Sequence, residues 1–438
     1  MQQLIDFLIL ADPNVRYVVW GNILLSASAA MVGAFIVLQK KALIGDAVSH
    51  AVLPGICAAF LFSGTKNTAL MLMGAFISGW LALIAIDYIT TRSKIKKDAA
   101  IGLVLSVFFG AGMVMMTFIQ QSGNAAQSGL DHFIFGRAAT LIGSDLMIFS
   151  ILAIVLLLAV GLFFKAFALV AFDRAFAEAL GYPVRKLDLL LTSLTVLAVV
   201  TGITSVGVVL MAAMLVTPAA AARYWTDNLK HMVAISVAFG VFAGLTGAFI
   251  SYTAPSMPTG PWMVVVSSAV AFLSFFFAPK KGIVPRWYNQ RKNQRIIVEE
   301  NTLKMFYHLG EQDNRFDDGR TLADLIRTRE VNENVLKAAL RRLVANGLLY
   351  DRGKQWTLTQ RGYLKAARVV RLHRLWELYL TQYMDIASDH VHDDAETIEH
   401  IITPELEREL EHQLGYPDRD PHDTKIPKLQ TNGHKENR

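Results

Sequence analysis

Asp46 and His50, in the stretch LIGDAVSHAVLPG (43–55), are the first residues whose types and spacing could do chemistry. Four residues apart on a helix, they share one face. A carboxylate beside an imidazole is a donor set that suits a first-row divalent cation. The flanks are apolar, and an ionisable group inside a bilayer costs about 3 kcal/mol or more unless it faces a cavity or a partner. Two plainer readings fit the same spacing: a polar contact between helices, or an Asp46 hydrated near the surface marked by Lys40 and Lys41. A second concentration lies far along the chain. VVRLHRLWELYL (369–380) sets His373 and Glu377 four apart, and HVHDDAETIEHII (390–402) sets Glu396, Glu399 and His400 at i, i+3 and i+4, with His392 just before them. An acidic run alone is usually a solvated face. Carboxylates interleaved with imidazoles on two successive helices are a stronger arrangement.

The elements that must position these groups are of two kinds. Of 438 residues, 53% are hydrophobic and 18% charged, with a mean hydropathy of +0.38. That balance excludes an ordinary soluble domain for the whole chain. Apolar runs dominate to about residue 278, and KKGIVPRWYNQRKNQR (280–295) opens a polar, charged region. Spanning a bilayer takes roughly 17–25 residues. Spans are expected near 19–39, 43–64, 68–91, 100–119, 145–164, 188–204, 206–222, 231–252 and 262–278, a count of eight or nine because the stretch 188–222 runs together. Lys40 and Lys41, Arg92 to Lys97, Arg174 to Lys186, Arg223, and Lys280 with Lys281 fall at every second connection. The positive-inside rule puts those connections, and the polar region after them, in the cytoplasm.

In the polar region, residues 320–367 read as helix, turn, helix and hairpin. Leu322, Leu325 and Ile326 form one apolar stripe, and Val335, Leu336, Ala339, Leu340 and Leu343 another. Asn332 is the expected N-cap of the second helix, ANG (345–347) its end, and LLYDRGKQWTLT two strands about an Arg-Gly turn. That order describes a winged helix-turn-helix. Its second helix would offer Asn332, Asn334, Lys337, Arg341 and Arg342 to phosphates or bases. A small protein-interaction domain is the competing reading.

Several function classes are excluded. Cys57 is the single cysteine, so there is no intrachain disulfide and no cysteine-based metal site. No G-x-x-x-x-G-K-[ST] loop is present, so the chain does not hydrolyse ATP itself, and no nucleophile–base constellation suggests an enzyme. The first residues lack a basic n-region and a small-residue cleavage site, so no cleaved signal peptide is expected.

LIGDAVSHAVLPG resembles the motif of the permease subunits of manganese, zinc and iron ABC importers, the ABC-3 family, and the resemblance covers nearly all of 15–278. AFDRAFAEALGYPVRKLD (171–188) is similar to the cytoplasmic helix by which such permeases touch their ATPase. TSVGVVLMAAMLVTPAAAARYW (204–225) and PTGPWMVVV (258–266) match later parts of the pattern. The resemblance implies transport-metal ligands at Asp46 and His50. It implies coupling residues at Phe172, Phe176, Glu178, Leu180 and Gly181, with Tyr182 beside them. The partners implied are an ABC ATPase, an extracytoplasmic metal-binding protein, and a second permease copy or sister permease, in the bacterial cytoplasmic membrane. The competing reading of 171–188 is an amphipathic helix lying on the membrane surface.

Residues 299–427 resemble the diphtheria toxin repressor and manganese transport regulator family, through the winged helix, LHRLWE, VHDDAETIEH and DPHDTKIP in the family's order. The resemblance puts regulatory metal ligands on His373, Glu377, His392, Glu396, Glu399 and His400. An oxygen donor at Glu396, where other members have cysteine, favours harder cations such as Mn²⁺. Fe²⁺ and Zn²⁺ are the alternatives. Two positions depart from the pattern: Asn301 stands where the family has an N-terminal ligand, and Lys304 where manganese regulators carry an acid.

The expected fold is therefore an all-α polytopic membrane protein followed by a cytoplasmic winged helix-turn-helix and a helical metal-binding and dimerisation domain. The expected boundaries are 1–278, a basic linker at 279–298, 299–367, 368–427, and a polar, disordered tail at 428–438. The linker is expected to rest on anionic lipid and is a candidate cleavage site, since a tethered module reaches operator DNA only near the membrane. The expected function is a divalent-metal permease with a metal-responsive, DNA-binding module. The competing reading is a module that senses metal to gate transport without touching DNA. A tail that only assembles the complex is the third.

Overall fold

The structure is a computed structural model. It describes residues 7, 9, 12–65, 67–121, 136, 143–254, 257–329, 331–383 and 403–427. The chain divides between Arg286 and Trp287 into two compact units.

The first unit is helical. Its described elements are α1 (Pro13–Leu38), α2 (Ala42–Ala51), α3 (Leu53–Ser63), α4 (Thr68–Arg92), α5 (Lys97–Gln121), α6 (Gly143–Leu162), α7 (Phe164–Phe172), α8 (Arg174–Ala179), α9 (Val184–Val206), α10 (Val208–Trp225), α11 (Leu229–Thr253) and α12 (Thr259–Phe277). Among the described residues, eight helices or joined helix pairs are long and apolar enough to cross a membrane, and α6 with α7, bent by 64°, makes up to nine. Helices cover all the expected spans, that at 145–164 only as part of the bent pair. Their ends differ by a few residues, because caps rather than hydropathy set them. Asp12 accepts from the Asn14 amide with Pro13 in the first turn, which starts α1 six residues before the expected 19. Asn67 and Asn228 cap α4 and α11 in the same way.

The run 188–222 is resolved into two helices by Gly207, at φ 93° and ψ 159°. A Cβ on Gly260, at the start of α12, would come within 2.9 Å of the Val206 carbonyl. The break therefore lies at the same end of the bundle as the α11–α12 connection. Inside the bundle, small residues let backbones touch: a Cβ on Gly33 of α1 would sit 1.8 Å from the Leu215 carbonyl of α10. Ser236 of α11 donates to the Ala30 carbonyl of α1 at 2.9 Å. The outward faces carry exposed Phe62, Leu158, Phe272 and similar side chains, as a lipid-facing surface requires.

The second unit begins inside α13 (Ile283–Asp313), a continuous helix through the basic linker. Only its later part is buried, from Thr302 to Gly310. Then come β1 (Arg320–Thr321), α14 (Leu322–Thr328), α15 (Glu333–Ala345), β2 (Leu349–Asp351), β3 (Gln355–Leu358), α16 (Gln360–Tyr383) and α17 (Pro404–Gln413). The sheet order is β1-β3-β2, all antiparallel, with Leu349 opposite Leu358 and Arg320 opposite Trp356. Strand β1 was not expected from the sequence, since two residues carry no periodicity. The core joins Leu303 and Phe306 of α13 to Leu325, Leu336, Leu340, Leu343, Leu349, Leu358 and Val370. Val335 departs from its expected stripe and is exposed, because it lies about 100° around the helix from Leu336. Thr321 and Asp324 form a reciprocal capping box on α14. Asn332 caps α15, and Gly347, at φ 69°, follows its end. Helix α16 runs without interruption across the expected boundary at 367/368.

Candidate functional sites

Helix α2 carries Asp46 and His50 on one face, with His50 Nε2 3.6 Å from Asp46 Oδ1. The imidazole is only 18% exposed and packs edge-on against Phe109, 4.9 Å between ring centres. Its buried Nδ1 has no hydrogen-bond partner among the described residues. Asp46 is more open, at 45%. The helix breaks at Val52, just after the pair. The cause is Pro54, the second residue of α3, which has no N–H to give the His50 carbonyl and crowds it. Ser78 of α4 takes up the slack by donating to the Ala51 carbonyl at 2.6 Å. Gly55 lies so close to Gly74 that a Cβ on it would be 2.1 Å from the Gly74 carbonyl. The pair thus sits on a short helix whose far end is held by backbone contact. Two donors leave coordination positions for other groups. Among the described residues, no cluster of three or more His, Cys, Asp or Glu could hold a metal by itself.

The segment 171–188 is not the single amphipathic helix expected. Asp173 adopts an extended backbone, ends α7, and caps the six-residue α8 by accepting from the Phe176 amide at 2.9 Å. Gly181, at φ 81°, closes α8, with Tyr182 N–H donating to the Ala177 carbonyl at 3.0 Å. Pro183 then opens α9. Ala177 is buried and anchors the turn, while Phe172, Phe176, Leu180 and Tyr182 are all exposed. Glu178 faces Arg174 at 3.9 Å, an exposed pair worth little. Together they make an exposed apolar patch on a short knuckle, the kind of surface that marks an interaction site.

On α15, the five candidate base- or phosphate-contacting residues divide. Asn334 and Arg341 are exposed. Asn332 spends its side chain on the cap, accepting from the Asn334 amide at 3.0 Å. Lys337 pairs with Glu333 at 2.5 Å. Arg342 turns back to Glu299 of α13 at 2.6 Å. The hairpin tip adds two exposed cations that the sequence reading missed, Arg352 and Lys354; their position beside the Arg-Gly turn was the available signal.

In α16, His373 Nε2 lies 3.1 Å from Glu377 Oε1, and both side chains are buried. A buried imidazole–carboxylate pair suits a first-row divalent ion in its donor chemistry. His392, Glu396, Glu399 and His400 lie outside the described residues. Asn301 Oδ1 is buried with no hydrogen-bond partner among the described residues, which leaves an oxygen donor free where the resemblance expects a ligand. Lys304 is buried; while charged, its ammonium has no lone pair to offer a metal. Nearby His308 is pushed down to about 4, first by burial and then by Lys304 and Arg374, so it is neutral at pH 7. Arg374, which the sequence reading passed over, forms a bidentate pair with Glu311 at 3.0 and 2.7 Å and donates to the Lys425 carbonyl at 2.5 Å. With Leu375, Leu410 and Ile426 packed together, it fastens DPHDTKIP to α16.

Comparison with known proteins agrees with this division. Residues 11–278 match the model of the ABC 3 transport family. Residues 359–428 match that of the iron dependent repressor, metal binding and dimerisation domain. The manganese transport system membrane protein MntC of Bacillus subtilis (strain 168) is 39% identical over 385 residues, 86% of this chain and 87% of that protein. The zinc transport system membrane protein TroC of Treponema pallidum (strain Nichols) is 39% identical over 282 residues, 64% of this chain but 95% of its own length. Among solved structures, PsaBC from Streptococcus pneumoniae in complex with Fab superposes with a TM-score of 0.59 at 33% identity, covering 66% of this chain and 99% of that one.

Proposed function

The chain belongs to the ABC 3 transport family, and from that membership we propose that it is the permease of an ATP-driven importer of divalent metal, manganese first, with a metal-responsive module at its C-terminal end. The observation that carries the reading is the Asp46–His50 pair on a helix broken by Pro54. Ionisable side chains at such a place mark an ion pathway by default. Manganese is favoured because a relative is named for it and because the proposed regulatory set has an oxygen donor at Glu396 where a thiolate would suit softer ions. Zinc, named for another relative, and iron are the alternatives. A permease is not itself an enzyme. Hydrolysis belongs to a separate ATPase seated on Phe172, Phe176, Leu180 and Gly181, with Glu178 at the rim. An extracytoplasmic metal-binding protein supplies the ion, and a second permease copy or a sister permease completes the pore.

The charge pattern supports nine crossings. If the bent pair α6–α7 did not cross, Lys97 and Arg185 would fall on opposite sides of the bilayer, against the positive-inside rule. With nine, every basic connection and the whole second unit are cytoplasmic. In this reading residues 1–278 are the permease, 279–298 the basic connection, 299–367 the winged helix-turn-helix, 368–427 the metal-binding and dimerisation unit and 428–438 a tail. Metal held by His373, Glu377, His392, Glu396, Glu399 and His400 would favour the form whose recognition helix α15 meets operator DNA. Exposed Arg341 and Asn334, with the basic hairpin tip, support DNA as the target. The covalent tie to a membrane span favours the second reading, in which the same metal gates transport and DNA plays no part.

Two measurements test the proposal. Asp46→Asn or His50→Ala, in the chain reconstituted with its ATPase, is expected to abolish manganese uptake with normal membrane insertion; normal uptake removes the pair from the mechanism. Full-length chain in nanodiscs, titrated with its own promoter DNA at stated salt with and without Mn²⁺, is expected to bind sequence-specifically only with metal. Metal binding without sequence preference leaves gating as the better account.

A further inference from the structure

We infer that the Asp188 carboxylate is the joint through which the ATPase-docking segment moves the helix that carries Asp46 and His50. The inference rests on the docking reading of the knuckle that carries Phe172, Phe176, Leu180 and Gly181; Asp188, in α9, is not part of that surface. Asp188 lies in the second turn of α9, and its two oxygens hold two different elements. Oδ1 accepts from Lys41 Nζ at 3.3 Å. Oδ2 lies 2.6 Å from Arg174 Nη2. Lys41 is the N-cap of α2, little more than one helical turn before Asp46. Arg174 is the first residue of α8, the docking knuckle itself. Thus a single carboxylate bridges the docking surface and the metal-bearing helix, across 147 residues of sequence on the Lys41 side.

The electrostatics hold the bridge together. Lys41 and Asp188 are less than a fifth exposed, and Lys97 adds another positive charge acting on Lys41. Without the carboxylate, Lys41 would stand largely buried and unpaired with Lys97 and the half-exposed Arg174 acting on it, and a charge left without its partner there is costly. With it, a displacement of Arg174 pulls on Asp188 and through it on Lys41. A cavity of about 220 Å³ lined by Gln39, Lys40, Lys41, Arg174 and Asp188 leaves room for that displacement. The other end of α2 is a break, held by Ser78 and the Gly55–Gly74 contact. A short helix pulled at its N-cap and hinged at Val52 reorients its one polar face, the face of Asp46 and His50.

The test uses the full-length chain in proteoliposomes with its ATPase and metal-binding protein. Manganese uptake, ATP hydrolysis and ATPase co-purification are read together. For Asp188→Asn, co-purification and hydrolysis are expected to stay within about twofold, while manganese carried per ATP falls at least about tenfold, which corresponds to about 1.4 kcal/mol of lost coupling. Asp188→Glu keeps both oxygens and is expected to restore most of the ratio, and KM for metal is expected to be unchanged in both. A wild-type ratio in Asp188→Asn overturns the inference. So does parallel loss of co-purification, hydrolysis and uptake, which would make Asp188 a brace of the docking surface. If the ATPase does not co-purify even with the wild-type chain, the docking reading itself fails, and the joint with it.

Discussion

The hydroxyl of Ser78 illustrates how much rests on single groups beside the Asp46–His50 pair. It supplies the hydrogen bond that the kinked helix cannot give the Ala51 carbonyl. Ser78→Ala leaves that carbonyl buried and unbonded, a loss of about 1–3 kcal/mol. Thermal unfolding in detergent is expected to show it as a lower midpoint, with a raised KM for metal as the hinge loosens. Gly74→Val is expected to be worse: any Cβ there meets the Gly55 carbonyl at 2.4 Å, and backbone cannot yield as a side chain can. In the second unit, neighbouring arginines separate by partner. Arg341→Ala is expected to weaken DNA binding at least about tenfold in a mobility-shift titration, the scale of one good base or phosphate contact. Arg342→Ala is expected to lower the unfolding midpoint first, since it loses its pair with Glu299. Equal effects of the two on both readouts would reject this division.

At the scale of elements, the docking knuckle depends on its cap. Six residues cannot sustain a helix by propensity, so α8 is held by Asp173, by the buried Ala177 and by the turn at Gly181. Asp173→Ala removes about 1 kcal/mol of capping, enough to fray α8. ATPase co-purification is expected to fall, as it should for Phe176→Ala, whose side chain is more than half exposed. Retention of the ATPase by both variants would move the docking surface elsewhere. Helix α13 changes the meaning of the basic linker. A continuous helix from Ile283 to Asp313, about 46 Å long, keeps its backbone hydrogen-bonded and is a poor protease substrate compared with an open loop. Limited proteolysis is expected to spare 283–313, and cutting there in the native chain would revive the cleavage reading. The row Trp287, Tyr288, Arg291, Lys292 and Arg295 is exposed, with Arg291 stacked on Trp287 at 3.9 Å, the composition of a face that meets anionic lipid.

At the scale of the whole molecule, the relatives are matched over different shares of this chain. TroC is matched over 95% of its length by 64% of this chain, whereas MntC of Bacillus subtilis is matched over 385 residues. A chain ending at Arg286 is therefore expected to support uptake with its ATPase. The two readings of the second unit separate at that point. Under repression, full-length and truncated chains reconstituted in vesicles transport at the same rate at every internal Mn²⁺ concentration. Under gating, internal Mn²⁺ slows the full-length chain and leaves the truncated one untouched.

Sequence alone determined what depends on local pattern. Hydropathy located the long apolar helices among the described residues, and the i, i+4 spacing put Asp46 with His50 and His373 with Glu377. Cap residues such as Asn332 and the turn at Gly353 could be read directly, because a cap or tight turn is satisfied within a few residues. Tertiary structure decided what depends on contacts between distant segments. It turned Arg342 inward to Glu299, exposed Val335, divided 171–188 at Asp173, set Gly55 against Gly74, and joined Lys41 and Arg174 through Asp188. No periodicity encodes such pairs. A charged side chain reads the same in sequence whether it faces solvent or a partner, and only the packing of helices determines which charges are partnered.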